Sequence, residues 1–447
     1  MNPAERETKL LEIGHALVRA GPADETEVVF SEGRSYLTRF SRNHIHQNVG
    51  TEEVWATVRV VAGKRIGVAT ASSLRPEALA GARDEALAIA RASEPLDDWP
   101  GLPPPRPVKT VEGAYDAATA EAPADARADM AGEIIAAAKV RRGEAAGAVE
   151  LEEGTLAVVS SRGVAAAESH TRAQVHTVIT CGDGSGYAEG LSTRVGELSA
   201  RSLGRRAAAK AAASRSPRPV EPGRYDVVLE PPAVGEWIEV LSYLAFSGKN
   251  FDEGRSPLSG KLGQRVTGDP VTLWDNALDP RTIPQGFDFE GMPKERLTLI
   301  GRGVAKAVGT GHYRARRLGK RRSSASALAA SVSYECLPLN LFMKGGTSSA
   351  ERLIRETKRG LLITRFHYTN ILDPMKTVLT GMTRDGTFLI ENGEVAGPVR
   401  NLRYTENVLE ALGRIDGASR RLTLAKGPCV VPTVRMRGVQ FTGRTEF

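Results

Sequence analysis

The first half of the chain contains four stretches in which apolar residues recur at helical spacing. In the stretch from Pro76 to Ala92, Leu79, Ala82 and Ala86 fall on one face of a helix, and Pro76 is typical of a first helical turn. The same kind of pattern predicts helices over residues 5–20, 123–141 and 197–214.

Strand patterns between these helices occur twice. The segment Thr38-Arg39-Phe40-Ser41-Arg42-Asn43 has a counterpart, Val158-Val159-Ser160-Ser161-Arg162-Gly163, about 120 positions later. An apolar run from Val54 to Val60 is likewise followed by one from Val175 to Ile179. The pattern predicts a helix–strands–helix unit present twice, with the two halves sharing one layered core.

From about residue 224 the sequence pattern changes to many short β-like runs separated by glycine, which is typical of an antiparallel sandwich or barrel. Helices are predicted here only around Glu236, over 350–358 and over 406–415. Proline-rich junctions at 95–107 and 216–223 separate the parts. The predicted fold class is α+β, with a duplicated helix–β-sheet–helix N-terminal region before a mostly antiparallel, sandwich- or barrel-like C-terminal domain. The predicted boundaries are 1–106, 107–220 and 221–447.

Composition fits an ordinary globular protein. The 447 residues are 41% hydrophobic and 25% charged, which favours two or three domains. Cys181, Cys336 and Cys429 are far apart and odd in number, so a disulfide framework is not expected. Without an apolar run of about 18 residues or a signal-peptide pattern at the N-terminus, we expect a cytoplasmic protein with no membrane contact.

A basic run extends from Arg302 to Arg322 within a net charge of +7. Such a run can bind phosphates or guide an acidic partner. It has few aromatic residues and no surrounding nucleic-acid-binding module, so a solvated or subunit-facing loop is favoured. We therefore expect no specific nucleic-acid partner.

One helix carries the most informative motif. A strand-like segment, Tyr225 to Glu230, precedes Pro231 and Pro232, then the segment Gly235 to Leu244, and then Ser259-Gly260-Lys261-Leu262-Gly263. Farther along are Phe366-His367-Tyr368-Thr369-Asn370 and the run Thr380 to Glu394, with an Asn392-Gly393 hairpin signal. This order resembles the TldD/PmbA family, also called modulators of DNA gyrase, and is closest to its TldE/PmbA-type subunit.

Catalytic TldD-type members carry His-Glu-x-x-x-His on this helix, and the resemblance places Ile238 and Tyr243 at the two histidine positions. Only the glutamate, Glu239, remains. Zinc requires imidazole, thiolate or carboxylate ligands, which isoleucine cannot supply. Catalytic members take a further ligand from a C-terminal cysteine, for which Cys429 is the candidate. The resemblance implies no cofactor here, with zinc expected only in a partner subunit.

The resemblance thus implies a metal-free subunit of a TldD/TldE-type peptidase complex that processes unfolded or modified peptides. Its partner would be a TldD-like zinc-bearing homologue in a heterodimer, or a second copy in a homodimer. Peptide would bind by strand addition, and the candidate groove residues are Tyr368, Asn370, Thr380, Arg384 and Asp385.

Two alternatives remain open. One is a stand-alone hydrolase with a non-zinc site rebuilt around Glu239, Tyr243 and His367, with Glu239 and His367 as its candidate catalytic residues. The other is a homodimeric scaffold that binds peptide or nucleic acid through the basic run.

Overall fold

The structure is a computed structural model that describes residues 2–331 and 335–445. Its first half contains two units with the same order of elements. The first unit comprises α1 (Pro3–Arg19), β1 (Glu25–Ser41), β2 (His44–Ala62), β3 (Arg65–Ala71) and α2 (Pro76–Ala92). The second comprises α3 (Ala117–Ala120), α4 (Ala124–Val140), β4 (Glu144–Ser160), β5 (Ala165–Cys181), β6 (Gly184–Ser192), a 3-10 turn (Val195–Glu197) and α5 (Ala200–Ala213).

The two units share one six-stranded sheet, ordered β3-β2-β1-β4-β5-β6. Strands β1 and β4 pair antiparallel at its centre, where Gly33 faces Gly154. A Cβ on Gly33 would lie 2.7 Å from the carbonyl oxygen of Glu153, so this close approach requires glycine. The predicted duplication is confirmed, and the two units share this sheet, but their helices cover two separate apolar clusters and not one shared core.

The remaining elements form the C-terminal part. They are β7 (Gly223–Leu229), α6 (Pro231–Leu244), α7 (Gly248–Asp252), β8 (Leu273–Asp275), β9 (Leu297–Gly301), β10 (Val304–Ala305), α8 (His312–Arg317), β11 (Leu341–Met343), α9 (Ala350–Arg355), β12 (Arg359–Asp373), β13 (Val378–Glu391), β14 (Glu394–Pro398), β15 (Leu402–Asn407), α10 (Val408–Leu412), β16 (Ile415–Ala425) and β17 (Cys429–Arg444).

Five strands of this sheet form a closed barrel in the order β7-β12-β13-β15-β17, because β17 also pairs with β7. Most pairs are antiparallel, whereas β12–β7 and β11–β17 are parallel. The barrel-like, mostly antiparallel prediction is confirmed. The predicted helix over 406–415 was wrong in extent, because β15 continues to Asn407 and β16 begins at Ile415.

The two parts meet through both apolar and charged contacts. Val29 and Val158 of the N-terminal sheet pack with Phe287 and Met292 from the long segment between β8 and β9. Nearby, Arg59 binds Glu27 at 2.8 Å and Glu290 at 3.4 Å in a buried ion cluster. These contacts hold the N-terminal sheet against the C-terminal part.

Candidate functional site

The helix that carries the family motif, α6, lies in the core of the C-terminal part. Glu230 precedes its first turn and Pro231 occupies a first-turn position, where a missing N–H costs nothing. Trp237 stacks on Phe366 with ring centroids 5.0 Å apart, and its indole N–H donates to the hydroxyl of Tyr404 at 3.2 Å. The helix is therefore anchored to the inner face of the barrel by an aromatic cluster.

Ile238 and Tyr243, the two positions that the resemblance assigns to histidine in catalytic members, both pack against this core. Ile238 has no solvent exposure and belongs to the main hydrophobic cluster of the C-terminal part. Tyr243 is half-buried and packs against the same cluster. Ile238 is therefore a packing residue of this core.

Glu239, in contrast, projects outward beside the turn between β16 and β17. Lys426 in that turn forms an ion pair with Glu236 at 2.8 Å, and its backbone N–H donates to Glu189 of β6 at 3.1 Å. Partial desolvation raises the pKa of the Glu239 carboxyl; Lys426 opposes this shift, whereas Glu236 and Glu189 add to it. The result is three carboxylates around one lysine at the junction of the two parts.

Cys429 follows this turn directly, so the structure brings the candidate cysteine to the motif helix. Its side chain is only 1% exposed. Burial raises the pKa of its thiol strongly, and the nearby carboxylates of Glu239 and Asp275 raise it further. A thiol held in its neutral form is a poor metal ligand.

The residues present do not fit the zinc of catalytic relatives. Ile238 offers no donor, and Glu239 and Cys429 alone cannot complete a tetrahedral set. Across residues 2–331 and 335–445, no group of three or more His, Cys, Asp and Glu side chains is arranged to hold a metal ion. No catalytic step is therefore derived through zinc in this chain.

His367 lies on β12, opposite Met382 of β13. Burial and the neighbouring Arg365 and Arg384 lower the pKa of its imidazole. In the described part of the chain, no hydrogen bond joins His367 to Glu239. The pair proposed for a rebuilt hydrolase is thus not linked as a base and its orienting acid would be.

The candidate groove residues lie along the β12–β13 hairpin with very different exposures. Tyr368 is 71% exposed, and Asn370 donates its side-chain amide to the carbonyl of Tyr368 at 2.8 Å. Thr380 donates its hydroxyl to the carbonyl of Tyr404 at 2.9 Å. Arg384 is half-buried on the same hairpin.

Asp385 differs from the other groove candidates because it is only 2% exposed and binds Arg365 through its Nε at 2.6 Å. It is an internal ion-pair partner and does not offer its carboxylate to a peptide. Sequence pattern alone could not distinguish it from its exposed neighbours, since it lies at a turn-like Asp-Gly step.

The basic run is partly neutralised by acids that are distant in sequence. Arg314 is buried and binds Asp252, Glu253 and Glu335 at 2.6–3.1 Å. Arg317 also binds Asp252. Within the described residues, two of the eight basic side chains of the run are thus engaged in ion pairs within the chain, which weakens the nucleic-acid scaffold alternative for that part of the run.

Sequence reasoning missed Glu189 and Lys426. They are 237 positions apart and meet only because β6 of the second unit packs beside the β16–β17 turn. No local pattern could have indicated this contact.

The fold is thus a two-part α+β structure in which the helix that carries the motif packs into the core of the C-terminal part. The model for the PmbA/TldA metallopeptidase C-terminal domain matches residues 222–443, and that for PmbA/TldA metallopeptidase domain 1 matches residues 26–90. The chain belongs to the PmbA/TldD metallopeptidase family.

Several curated relatives are named as metalloproteases. A metalloprotease of Methanothermobacter thermautotrophicus is 27% identical over 285 residues, which is 62% of each chain. A metalloprotease TldD homolog of Buchnera aphidicola is 23% identical over 180 residues, covering 39% of this chain and 36% of that protein. The chain thus matches less than two thirds of the length of these relatives.

Solved structures share the whole fold. TldE of Thermococcus kodakarensis aligns over 98% of this chain and 99% of its own, with a TM-score of 0.87 and 22% identity. A protein of Thermotoga maritima described as a candidate modulator of a DNA gyrase aligns over 98% of this chain and 100% of its own, with a TM-score of 0.87 and 20% identity.

None of the helices in the described residues has the length and apolar character needed to span a membrane.

Proposed function

We propose that this chain is the metal-free, TldE-like subunit of a TldD/TldE-type peptidase complex that processes unfolded or modified peptides. The observation that carries the proposal is the complete burial of Ile238 in the apolar core, at a position where catalytic relatives hold a zinc-binding histidine. A side chain packed there fills the space that a ligand and its metal would need. The motif helix therefore serves as a structural element of the barrel.

Pairing with a homologous zinc-bearing subunit is supported by an open edge in the first N-terminal unit. Strand β3 pairs with β2 only over residues 56–62, so residues 44–55 of β2 have β1 on one side and no strand on the other in the described part of the chain. Ile45 and Val49 on this segment are 42% and 38% exposed. Long open edges are uncommon in isolated proteins because they favour pairing with another chain.

The corresponding edge of the second unit is covered. There, the backbone N–H of Thr171 on β5 donates to the carbonyl of Ala114 at 2.9 Å, and the N–H of Asp116 donates to the hydroxyl of Thr171 at 3.0 Å. The two units thus differ in this respect, which favours the β2 edge as the subunit-pairing surface.

The proposal is tested by mixing the purified chain with a His-Glu-x-x-x-His homologue from the same genome. We expect the chain alone to leave an unstructured fluorogenic peptide uncleaved and to raise hydrolysis by the zinc-bearing protein. Chelator-sensitive hydrolysis by the isolated chain, lost in Glu239→Gln, would contradict the proposal.

A matched pair of variants tests the pairing surface. Val49→Lys places a charge on the open edge and should weaken complex formation in sedimentation velocity. Val140→Lys, at a side chain that is 80% exposed at the end of α4, adds the same charge elsewhere and should leave the complex intact. Equal behaviour of the two variants would refute pairing through β2.

A further inference from the structure

A large cleft separates α5 of the second N-terminal unit from β16 and α9 of the C-terminal part. Its volume is about 1280 Å³, and its walls include the apolar side chains of Ile354, Leu362 and Leu424. The cleft meets α6 only at Pro231 and Pro232, at the first turn. Glu189, which also lies near Glu239, is part of the cleft wall, whereas Glu239 itself is not. The function proposed above does not use this cleft.

Basic side chains dominate the charge of this cleft. Lys210 is paired with Glu230, and Arg352 with Glu356. Four further arginines of the lining are exposed and form no ion pair among the described residues: Arg206, Arg355, Arg420 and Arg421. A concave surface with unpaired positive charges attracts acidic ligands.

The same cleft exposes the edge of a β-strand. From Leu422 to Ala425, β16 pairs with β17 on one side and with no strand on the other in the described residues. A bulge between Ala418 and Leu422 carries Arg420 and Arg421 at the start of this open edge. Open main-chain donors and acceptors beside basic side chains fit an extended acidic chain, which binds by strand addition.

Nucleic acid fits the cleft less well than a peptide. Glu189, Glu230 and Glu351 also line the cleft, and Glu230 is paired with Lys210, so these acids do not decide between the two ligands. Of its aromatic side chains, Phe388 is only 4% exposed, and Tyr187 donates its hydroxyl to Glu189 at 2.7 Å beneath the guanidinium of Arg365. Neither is free to stack on bases as single-stranded nucleic acids require.

We propose that this cleft binds an extended, acidic peptide segment, which adds as a strand to the open edge of β16 and places its carboxylates beside the four arginines. Each exposed ion pair contributes little alone, so binding rests on several pairs acting together with main-chain hydrogen bonds. The site holds a substrate region or partner segment away from any cleavage site and does not depend on a zinc-bearing subunit.

The experiment uses the full-length isolated chain and fluorescence anisotropy with a labelled, unstructured glutamate-rich peptide. Controls are the same peptide with glutamine in place of glutamate, and one N-methylated at alternate residues to block strand addition. On the protein side, Arg420→Glu with Arg421→Glu is compared with Arg75→Glu with Arg91→Glu, an equal charge change at exposed positions of α2 and its N-cap.

We expect the cleft variant to bind the acidic peptide about tenfold more weakly than the α2 variant. The glutamine and N-methylated peptides should both lose affinity, and added salt should weaken binding. Equal affinities of the two variants, or of the acidic and glutamine peptides, would overturn the proposal. Tighter binding of a single-stranded DNA oligonucleotide at about 0.15 M ionic strength would also overturn it. These results are independent of peptidase activity, so they are separable from failure of the proposed function.

Discussion

Replacing Ile238 by alanine is the perturbation that most directly tests the structural role of the motif helix. The substitution removes three buried carbon atoms from a side chain with no solvent exposure. At about 0.8 kcal/mol for each buried methylene, transfer alone accounts for roughly 2.4 kcal/mol. The unfilled cavity raises the expected loss in the free energy of unfolding to about 2–5 kcal/mol.

Ile89→Ala is the matched control, because Ile89 also lies on a helix but is 40% exposed. Its loss of burial is small and is partly offset by the better helix propensity of alanine, so a change within about 0.5 kcal/mol is expected. Urea unfolding is followed by tryptophan fluorescence, to which the core residue Trp237 contributes. The urea concentrations at the unfolding midpoint are compared between variants whose unfolding free energy depends equally steeply on urea. If Ile238→Ala were no more destabilising than Ile89→Ala, position 238 would line a cavity and the packing account would fail.

Three further outcomes are expected. Desolvation raises the pKa of Glu168 to about 7, so its folded-state pKa lies above the unfolded value. The stability of the wild-type protein should therefore fall as pH rises from about 4.5 to 7. Glu168→Gln should make this fall smaller, which is checked by urea unfolding midpoints measured across that pH window. Arg314→Ala should cost about 1–3 kcal/mol of unfolding free energy, because it removes charge-assisted hydrogen bonds to Asp252, Glu253 and Glu335, each of which keeps a second basic partner. Exposed Arg316→Ala on the same helix should cost little in the same assay, and similar losses would contradict the ion-cluster account. All three cysteines are buried, so a thiol reagent such as DTNB should react with them only after denaturation, and rapid modification of the native protein would contradict the structure.

The duplicated architecture could be predicted because it rests on local periodicity. Helical spacing from Pro76 to Ala92 matches α2 to the residue. Barrel closure could not be predicted, since β7 near residue 225 pairs with β17 near residue 439, and no local pattern specifies such a register. The helix over 406–415 was over-extended because cross-strand pairing of β15 determines the conformation of Glu406.

Only part of the candidate site could be predicted from the sequence, because local patterns report only on residues that are close in sequence. The motif itself located Ile238, Glu239 and Tyr243 on one helix, because they are close in sequence. The approach of Cys429 and the Lys426 turn to that helix depends on how β16 and β17 pack against it. Contacts of this kind arise from tertiary packing and cannot be predicted from the spacing of residues in the sequence.

The central claim is that this chain holds no zinc of its own. Its most direct test is elemental analysis of the full-length protein after equilibration with zinc and gel filtration, with the zinc-bearing homologue as a positive control. The account predicts substoichiometric zinc that does not change in Glu239→Gln. One tightly held zinc per chain, lost in Glu239→Gln, would contradict it.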